Sequence, residues 1–443
     1  MDDLVLHNGT AVTVNPAFEI LPHAVVAIRQ GRLRAVTNRV PGTPLPSARE
    51  TLDAGGGLIL PGLVNAHTHL PMTLFRGLAD DLPLKPWLEE HIFPAEARFM
   101  DPVSVGWGAR LACCELLLSG TTTCCDGYFH ADAVAGAVVE CGLRAVLGQG
   151  VLDFPAPGVP DPREALPRAR EFLTRWRGVS PLVRPSLFCH AAYTCGPETL
   201  TAAKAAAEEA GALYQIHAAE TRSEARELID PRAPTPVGHL ARLGLLDPRT
   251  LLAHCVWVEP WDIEAIRAAG AGVVHCPESN MKLAAGIAPL PALLAAGIPV
   301  GLGTDGCASN NDLDLFREMG TAARLHKVAG GDPTTVSARE VLTMATIGGA
   351  RALGLADRIG SLEPGKEADI IVVDTRRPAL TPLYRPESHL VYAADGAAVR
   401  DVIVAGRLRV RGHRLVDLDL ERIMAEVRAL ARRIRPPLCA HRY

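Results

Sequence analysis

The residues best suited to chemistry fall in four short segments. Asn65-Ala66-His67-Thr68-His69 sets two imidazoles two positions apart. On an extended strand such residues point to the same side, so both rings can face one point. Histidine is the commonest metal ligand, and two held this way suit Zn²⁺. An HxH pair alone is a weak signal, because a hydrogen-bonded core histidine explains it equally well. Three further segments strengthen it: His217 and Glu220 in HAAE, His254 in LLAHCV, and Asp305 in GLGTDG. Each stands just beyond a short apolar run. Carboxylates beside a metal can take and return protons, which is general acid–base work.

These residues can meet only if the apolar runs are strands of one sheet. The runs are Leu58 to Val64, Thr121 to Cys125, Arg144 to Val151, Val183 to Phe188, Ala212 to Ile216, Thr250 to Ala253, Gly272 to Val274 and Pro299 to Gly303. Ala- and Leu-rich helical stretches such as PETLTAAKAAAEEAG separate them. Alternating strands and helices indicate an α/β fold, and eight such units predict a (β/α)₈ barrel. A barrel delivers all eight C-terminal strand ends to one mouth, where the histidines and carboxylates would converge. An open doubly wound sheet is the second choice, but it calls for a Gly-rich phosphate loop, and the sequence has none.

Strand-like, turn-rich sequence occupies both ends of the chain. Residues 1–57 and 360–415 are expected to combine into a small composite β-sandwich, 58–359 to form the barrel, and 416–443 a helical tail on the surface. Other histidines read more plainly. His190 ends the fourth run and would face the mouth; His275 ends the seventh and has a structural alternative. His7, His23, His389, His413 and His441 fall outside the barrel. The fourth run ends without a lysine (SLFCHAAYTC), so a carboxylated lysine bridging two metals is not available there, which favours one metal.

Composition narrows the classes further. Among 443 residues, Lys plus Arg is 45 and Asp plus Glu is 49, a net charge of −4. That argues against a nucleic-acid partner, which calls for a basic face. No apolar run reaches the roughly 18 residues of a membrane span, and MDDLVLHNGT does not resemble a signal peptide. Eleven cysteines without any CxxC suggest a reducing cytoplasm and buried thiols. The lack of CxxC also excludes the zinc deaminase architecture built on H-x-E and P-C-x-x-C. Apolar surface around a barrel could support a homo-oligomer.

Longer motifs carry a resemblance. PGLVNAHTHLPMTLFRGLADDLPLKPWLEE, HAAET, AHCVW, HCPESNMKLAAGIAPLPALLAAGIPVGLGTDGCASNNDLDLFREM and GSLEPGKEADIIVVD resemble the amidohydrolase superfamily, and within it the methylthioadenosine/S-adenosylhomocysteine deaminase branch. The likeness runs from about residue 3 to residue 410. Triazine hydrolases and guanine deaminase share much of the pattern.

The resemblance implies one catalytic Zn²⁺, with Fe²⁺ or Mn²⁺ as alternatives, on His67, His69, His217 and Asp305. His254 would act on the metal-activated water, Asp305 would accept its proton, and Glu220 would protonate the purine ring. The substrate implied is an adenosine-type nucleoside: Glu96 would hold the ribose hydroxyls, Trp87 line the pocket, His190 touch the purine and Ser309 lie near the metal. Relatives that take S-adenosylhomocysteine carry an arginine after the third strand, where this chain has Gln149, with only Arg163 nearby. A neutral amide cannot pair a carboxylate as a guanidinium does. The resemblance therefore points to 5′-methylthioadenosine, 5′-deoxyadenosine or adenosine ahead of S-adenosylhomocysteine. Guanine, a triazine or another amino-substituted N-heterocycle is the alternative substrate. An inactive barrel serving as an assembly protein is the remote one.

Overall fold

The computed structural model describes residues 1–40, 42–228 and 234–434. Two sheets organise the chain. The first five strands are β1 (Asp2–Val12), β2 (Ile20–Arg29), β3 (Arg32–Asn38), β4 (Ala48–Asp53) and β5 (Leu58–Pro61). Eight more follow: β6 (Leu63–Thr68), β7 (Thr121–Tyr128), β8 (Arg144–Val151), β9 (Val183–Ala191), β10 (Tyr214–Ala218), β11 (Thr250–His254), β12 (Gly272–His275) and β13 (Val300–Leu302). The last four are β14 (Ile370–Val373), β15 (Val399–Val404), β16 (Arg407–Arg411) and β17 (Arg414–Leu415).

Strands β6 to β13 pair in sequence order, every pair parallel. The ring closes where Thr68 bridges Asp305. Asn65 Nδ2 donates to Thr304 Oγ1 at 2.7 Å and the Asp305 amide donates to His67 O at 3.0 Å across the same seam. This is the (β/α)₈ barrel. Its strands are almost wholly buried, as parallel strands covered by helices must be.

The remaining nine strands make one sheet from both ends of the chain, with β14 paired to β5 and β5 to β1. Alternation along β14 shows how it works. Ile371 and Val373 face the large core shared with the barrel, whereas Ile370 and Val372 join a second apolar core with Leu4, Leu6, Val26 and Ile28.

The apolar run from Leu58 to Val64, expected as the first barrel strand, is two strands. Leu58–Pro61 belongs to the terminal sheet and only Leu63–Thr68 to the barrel, so the change of sheet falls after Pro61. Burial on both sides makes the two look continuous in sequence. Gly62 between them has no room for a side chain, since a Cβ there would lie 2.1 Å from Thr122 Oγ1. Below the barrel, the buried Arg144 guanidinium clasps Asp369 at 2.8 and 3.1 Å and ties the two sheets together.

The tail forms a helix, Leu420–Ile434. It lies on the surface but buries Ile423, Val427, Leu430 and Ile434, a stripe at helical spacing against the helix Pro102–Leu118. Residues 435–443, including His441, lie outside the described residues.

A candidate metal-dependent active site

Four side chains arrive at the barrel mouth from three places in the strand order. His67 and His69 come from the end of β6, His217 from β10, and Asp305 from just past β13. One ligand atom from each lies within 4.8 Å of every other, and all four residues are buried. The Nε2 atoms of His67 and His217 stand 3.1 Å apart, and Asp305 Oδ1 is 3.2 Å from His69 Nε2 and 3.5 Å from His67 Nε2.

The donor set fits a divalent metal such as zinc, which prefers four ligands from imidazole and carboxylate. Metal-binding imidazoles must be neutral. Burial holds His67 down at about 4, and burial with its histidine neighbours keeps His217 well below the ordinary range. Burial pulls His69 down too, but the Asp305 carboxylate outweighs it and lifts it to about 9, so this corner favours positive charge. Asp305 is opposed by burial yet held well below the usual carboxylate range by His67 and His69. His69 Nδ1–H donates to Gly127 O at 2.7 Å, which turns Nε2 inward.

Carboxylates and a fourth imidazole complete the floor. Glu220 lies beyond β10 and His254 ends β11, with His254 Nε2 3.8 Å from Glu220 Oε2. Burial raises the Glu220 pKa. Burial lowers that of His254, but Glu220 and Asp305 more than offset it, and the net shift is upward. Four non-glycine residues at these strand tips take left-handed backbone: Ala219 at φ 53°, His254 at 75°, Cys255 at 49° and Asp305 at 60°. Such strain persists only where neighbours fix it, and it gathers at functional sites.

Sequence reasoning missed those neighbours. The Glu224 carboxylate accepts the backbone N–H groups of Ala219, Glu220 and Thr221 at 2.9, 2.6 and 2.9 Å, fixing the turn that carries Glu220. Asn280 Oδ1 accepts from His254 Nδ1 at 2.9 Å, which aims Nε2 at the site. The hydroxyls of Ser279 and Ser309 both donate to Asp305 Oδ2, at 2.7 and 2.9 Å, while Oδ1 faces the histidines. Ser309 was expected near the metal; Ser279, in the motif HCPESN, carried no separate signal.

A cavity opens above this floor, lined mainly by apolar and aromatic side chains with a few convergent polar groups, the lining of a small-molecule site. His190, Trp87 and Glu96 are among the residues that line it. Trp87 and Glu96 come from a covering segment, Leu84–Phe99, whose helix widens by one turn over Trp87–Ile92. Pro94 interrupts ordinary helical hydrogen bonding there, and the Phe93 N–H reaches back to Leu88 O. Glu96 is 3% exposed and accepts a 2.6 Å hydrogen bond from the Tyr128 hydroxyl. Burial pushes its carboxyl up to about 7, against the pull of Tyr128.

Gln149 is a correction. It does not line this cavity. Its Oε1 accepts from the Ala131 N–H at 3.0 Å, beginning the helix Ala131–Cys141, where the preceding His130 supplies no side-chain cap. An orphan amide at a helix start needs such an acceptor. Arg163, the nearby alternative, is exposed and pairs with Asp161. His275 is structural: its Nε2 lies 3.0 Å from Nε2 of His326, away from the cavity.

A parallel barrel whose mouth gathers three histidines and an aspartate defines a class of metal-dependent hydrolases. The amidohydrolase family profile matches residues 58–409, and the chain belongs to that family. A 5-methylthioadenosine/S-adenosylhomocysteine deaminase of Syntrophobacter fumaroxidans is 48% identical over 437 residues, covering 98% of this chain and 99% of the relative. A 5′-deoxyadenosine deaminase of Methanosarcina acetivorans is 42% identical over 434 residues, covering 97% and 98%. An adenosine deaminase from Xanthomonas campestris, crystallised with bound zinc, superposes with a TM-score of 0.95 at 39% identity over 98% of each chain.

Proposed function

We propose that this protein is a zinc-dependent hydrolytic deaminase that converts an adenosine-type nucleoside to its inosine analogue and ammonia. One observation carries the reading: a single cavity runs from the metal quartet and Glu220 to the buried Glu96–Tyr128 pair. The first end suits hydrolysis, and the second offers hydrogen-bond acceptors for a sugar. The names of the similar deaminases support the same substrate class.

His67, His69, His217 and Asp305 would hold zinc, whose Lewis acidity would lower the pKa of a water to about 7. Asp305 takes a proton from the attacking water. Its Oδ2 is held by two serine hydroxyls, so the carboxylate keeps one orientation as it does so. His254, aimed by Asn280, steadies that water opposite Glu220. Glu220, raised by burial and so a readier proton carrier, protonates the purine ring nitrogen beside C6. The water oxygen bonds to C6, Asp305 passes its proton to the amino group, and the C6–N bond breaks to release ammonia, while the Glu220 carboxylate takes the remaining hydroxyl proton as the C6 carbonyl forms and the ring nitrogen keeps the proton it received. His190 and Trp87 flank the base.

The 5′ end favours neutral groups. Among the described residues no lysine or arginine lines the cavity, while Leu84, Leu88, Phe93, Phe129 and Leu152 do. The carboxylate of an S-adenosylhomocysteine tail would find no cation there, whereas a methylthio or methyl group would be well received. Gln149 plays no part in this preference, because it faces the helix Ala131–Cys141. The reaction belongs in the cytoplasm on this reading, supported by the ten cysteines among the described residues, all free and buried.

The test is a substrate panel with zinc-loaded protein: adenosine, 5′-deoxyadenosine, 5′-methylthioadenosine, guanine and a chlorotriazine. Ammonia release with the adenine-to-hypoxanthine ultraviolet change on the first three is the expected result. Turnover confined to guanine or the triazine would overturn the nucleoside assignment and keep the metal chemistry.

A further inference from the structure

Glu96 stands in the cavity on the covering segment, while the metal ligands stand on the barrel. Something must hold the two in register, and the geometry points to Tyr128. We propose that Tyr128 is a specificity-determining residue: its hydroxyl sets the Glu96 carboxylate for a vicinal diol, so that ribose is recognised at a fixed distance from the metal. The proposal rests on the nucleoside reading above and deepens it.

Three observations support it. The Tyr128 hydroxyl donates to Glu96 Oε1 at 2.6 Å, a short distance of the kind a charge-assisted bond shows. Both residues are 3% exposed and both line the cavity. A carboxylate rotates easily about its last torsion, so a single strong donor decides which way its oxygens face. Each oxygen has two lone pairs, so one bond from Tyr128 leaves acceptor capacity on both for a cis-diol.

Position in the chain gives the second argument. Tyr128 is the last residue of β7, and the carbonyl of Gly127 before it accepts from His69 Nδ1. One peptide link therefore fixes both the metal end and the sugar end. Gly127 has no alternative there, because a Cβ would lie 2.4 Å from the Phe188 ring, which itself stands 5.8 Å from His69 and 5.3 Å from His217 between ring centroids. The wall that sets the register is packed and cannot yield.

Tyr128→Phe removes the hydroxyl and keeps the ring, with Glu96→Gln as the companion variant. Each would be compared with wild type on adenosine and on 2′,3′-dideoxyadenosine, which keeps the base and the 5′-hydroxyl but lacks the diol. Wild type is expected to prefer adenosine. Tyr128→Phe should shrink that preference in kcat/KM about tenfold, mainly through KM for adenosine. Glu96→Gln should shrink it at least as far, and the double variant should add little, since the two residues act as one unit. An undiminished preference in Tyr128→Phe, or equal losses on both substrates with zinc content and melting temperature intact, would overturn the proposal. If zinc-loaded wild type deaminates neither nucleoside, the parent reading fails, and this inference falls with it for a reason the assay itself identifies.

Discussion

The two ends of the cavity are built on different supports. At the metal end, His67, His69, His217, His254 and Asp305 sit on or directly after barrel strands, and three of them are held by neighbours: His69 by Gly127, His254 by Asn280 and Asp305 by Ser279. At the sugar end, Trp87, Phe93 and Glu96 ride on the covering segment, with its widened helical turn and two prolines. Trp87 Nε1 is tied to Ala79 O at 3.1 Å, and Lys85 reaches Glu227 at 3.2 Å across the mouth. Chemistry thus stands on rigid strand tips, and recognition stands on a segment added over them. Tyr128 is where the two meet. A fold arranged this way can change its substrate by altering one segment while keeping its reaction.

Substitutions at the metal end should act on turnover and those at the sugar end on KM. The largest effect is expected for His217→Ala, which should lose zinc and about 10⁴-fold in kcat/KM, measured beside metal analysis of the purified protein. Retained zinc with retained activity would break the assignment of the quartet. Glu220→Gln should keep its zinc and lose about 10³-fold in kcat with little change in KM. Asn280→Ala should cost about 10- to 100-fold in kcat by freeing His254, though it touches no ligand of the metal. A KM effect instead would blur the division between the two ends.

The smallest effect is one of pH. Glu96 titrates at about 7 because burial opposes its charge, with the Tyr128 hydroxyl and the His69 ring facing it. The ionised form accepts both diol hydroxyls, and protonation spoils one of those bonds. KM for adenosine should therefore rise as pH falls below about 7, by no more than about tenfold per unit. Dideoxyadenosine should show no such rise, and Glu96→Gln should flatten the adenosine profile.

Much of the metal end was legible in the sequence. His67 and His69 announce themselves by the two-residue period of a strand, and Glu220, His254 and Asp305 by their places after apolar runs. Their supports were not legible. Glu224, Asn280 and Ser279 act through contacts that form only when strand ends meet, and nothing in their local spacing separates them from ordinary polar residues. Gln149 misled for a related reason: alignment gives a position on β8, but the side chain turns to serve a helix start. Trp87 and Glu96 were visible only through family resemblance, since a helix with an inward Trp and Glu reads locally as packing and solvent face. The switch of sheets at Gly62 was hidden because both flanking strands are apolar and buried.

The central claim is that a strand-tip metal site deaminates adenosine nucleosides whose 5′ end is neutral. It is tested most directly by kcat/KM for zinc-loaded protein on 5′-deoxyadenosine and on S-adenosylhomocysteine, measured side by side. The cavity predicts deamination of both bases with a strong preference for 5′-deoxyadenosine, because no cation among its described lining residues meets the amino-acid carboxylate. Equal or better turnover of S-adenosylhomocysteine would contradict it.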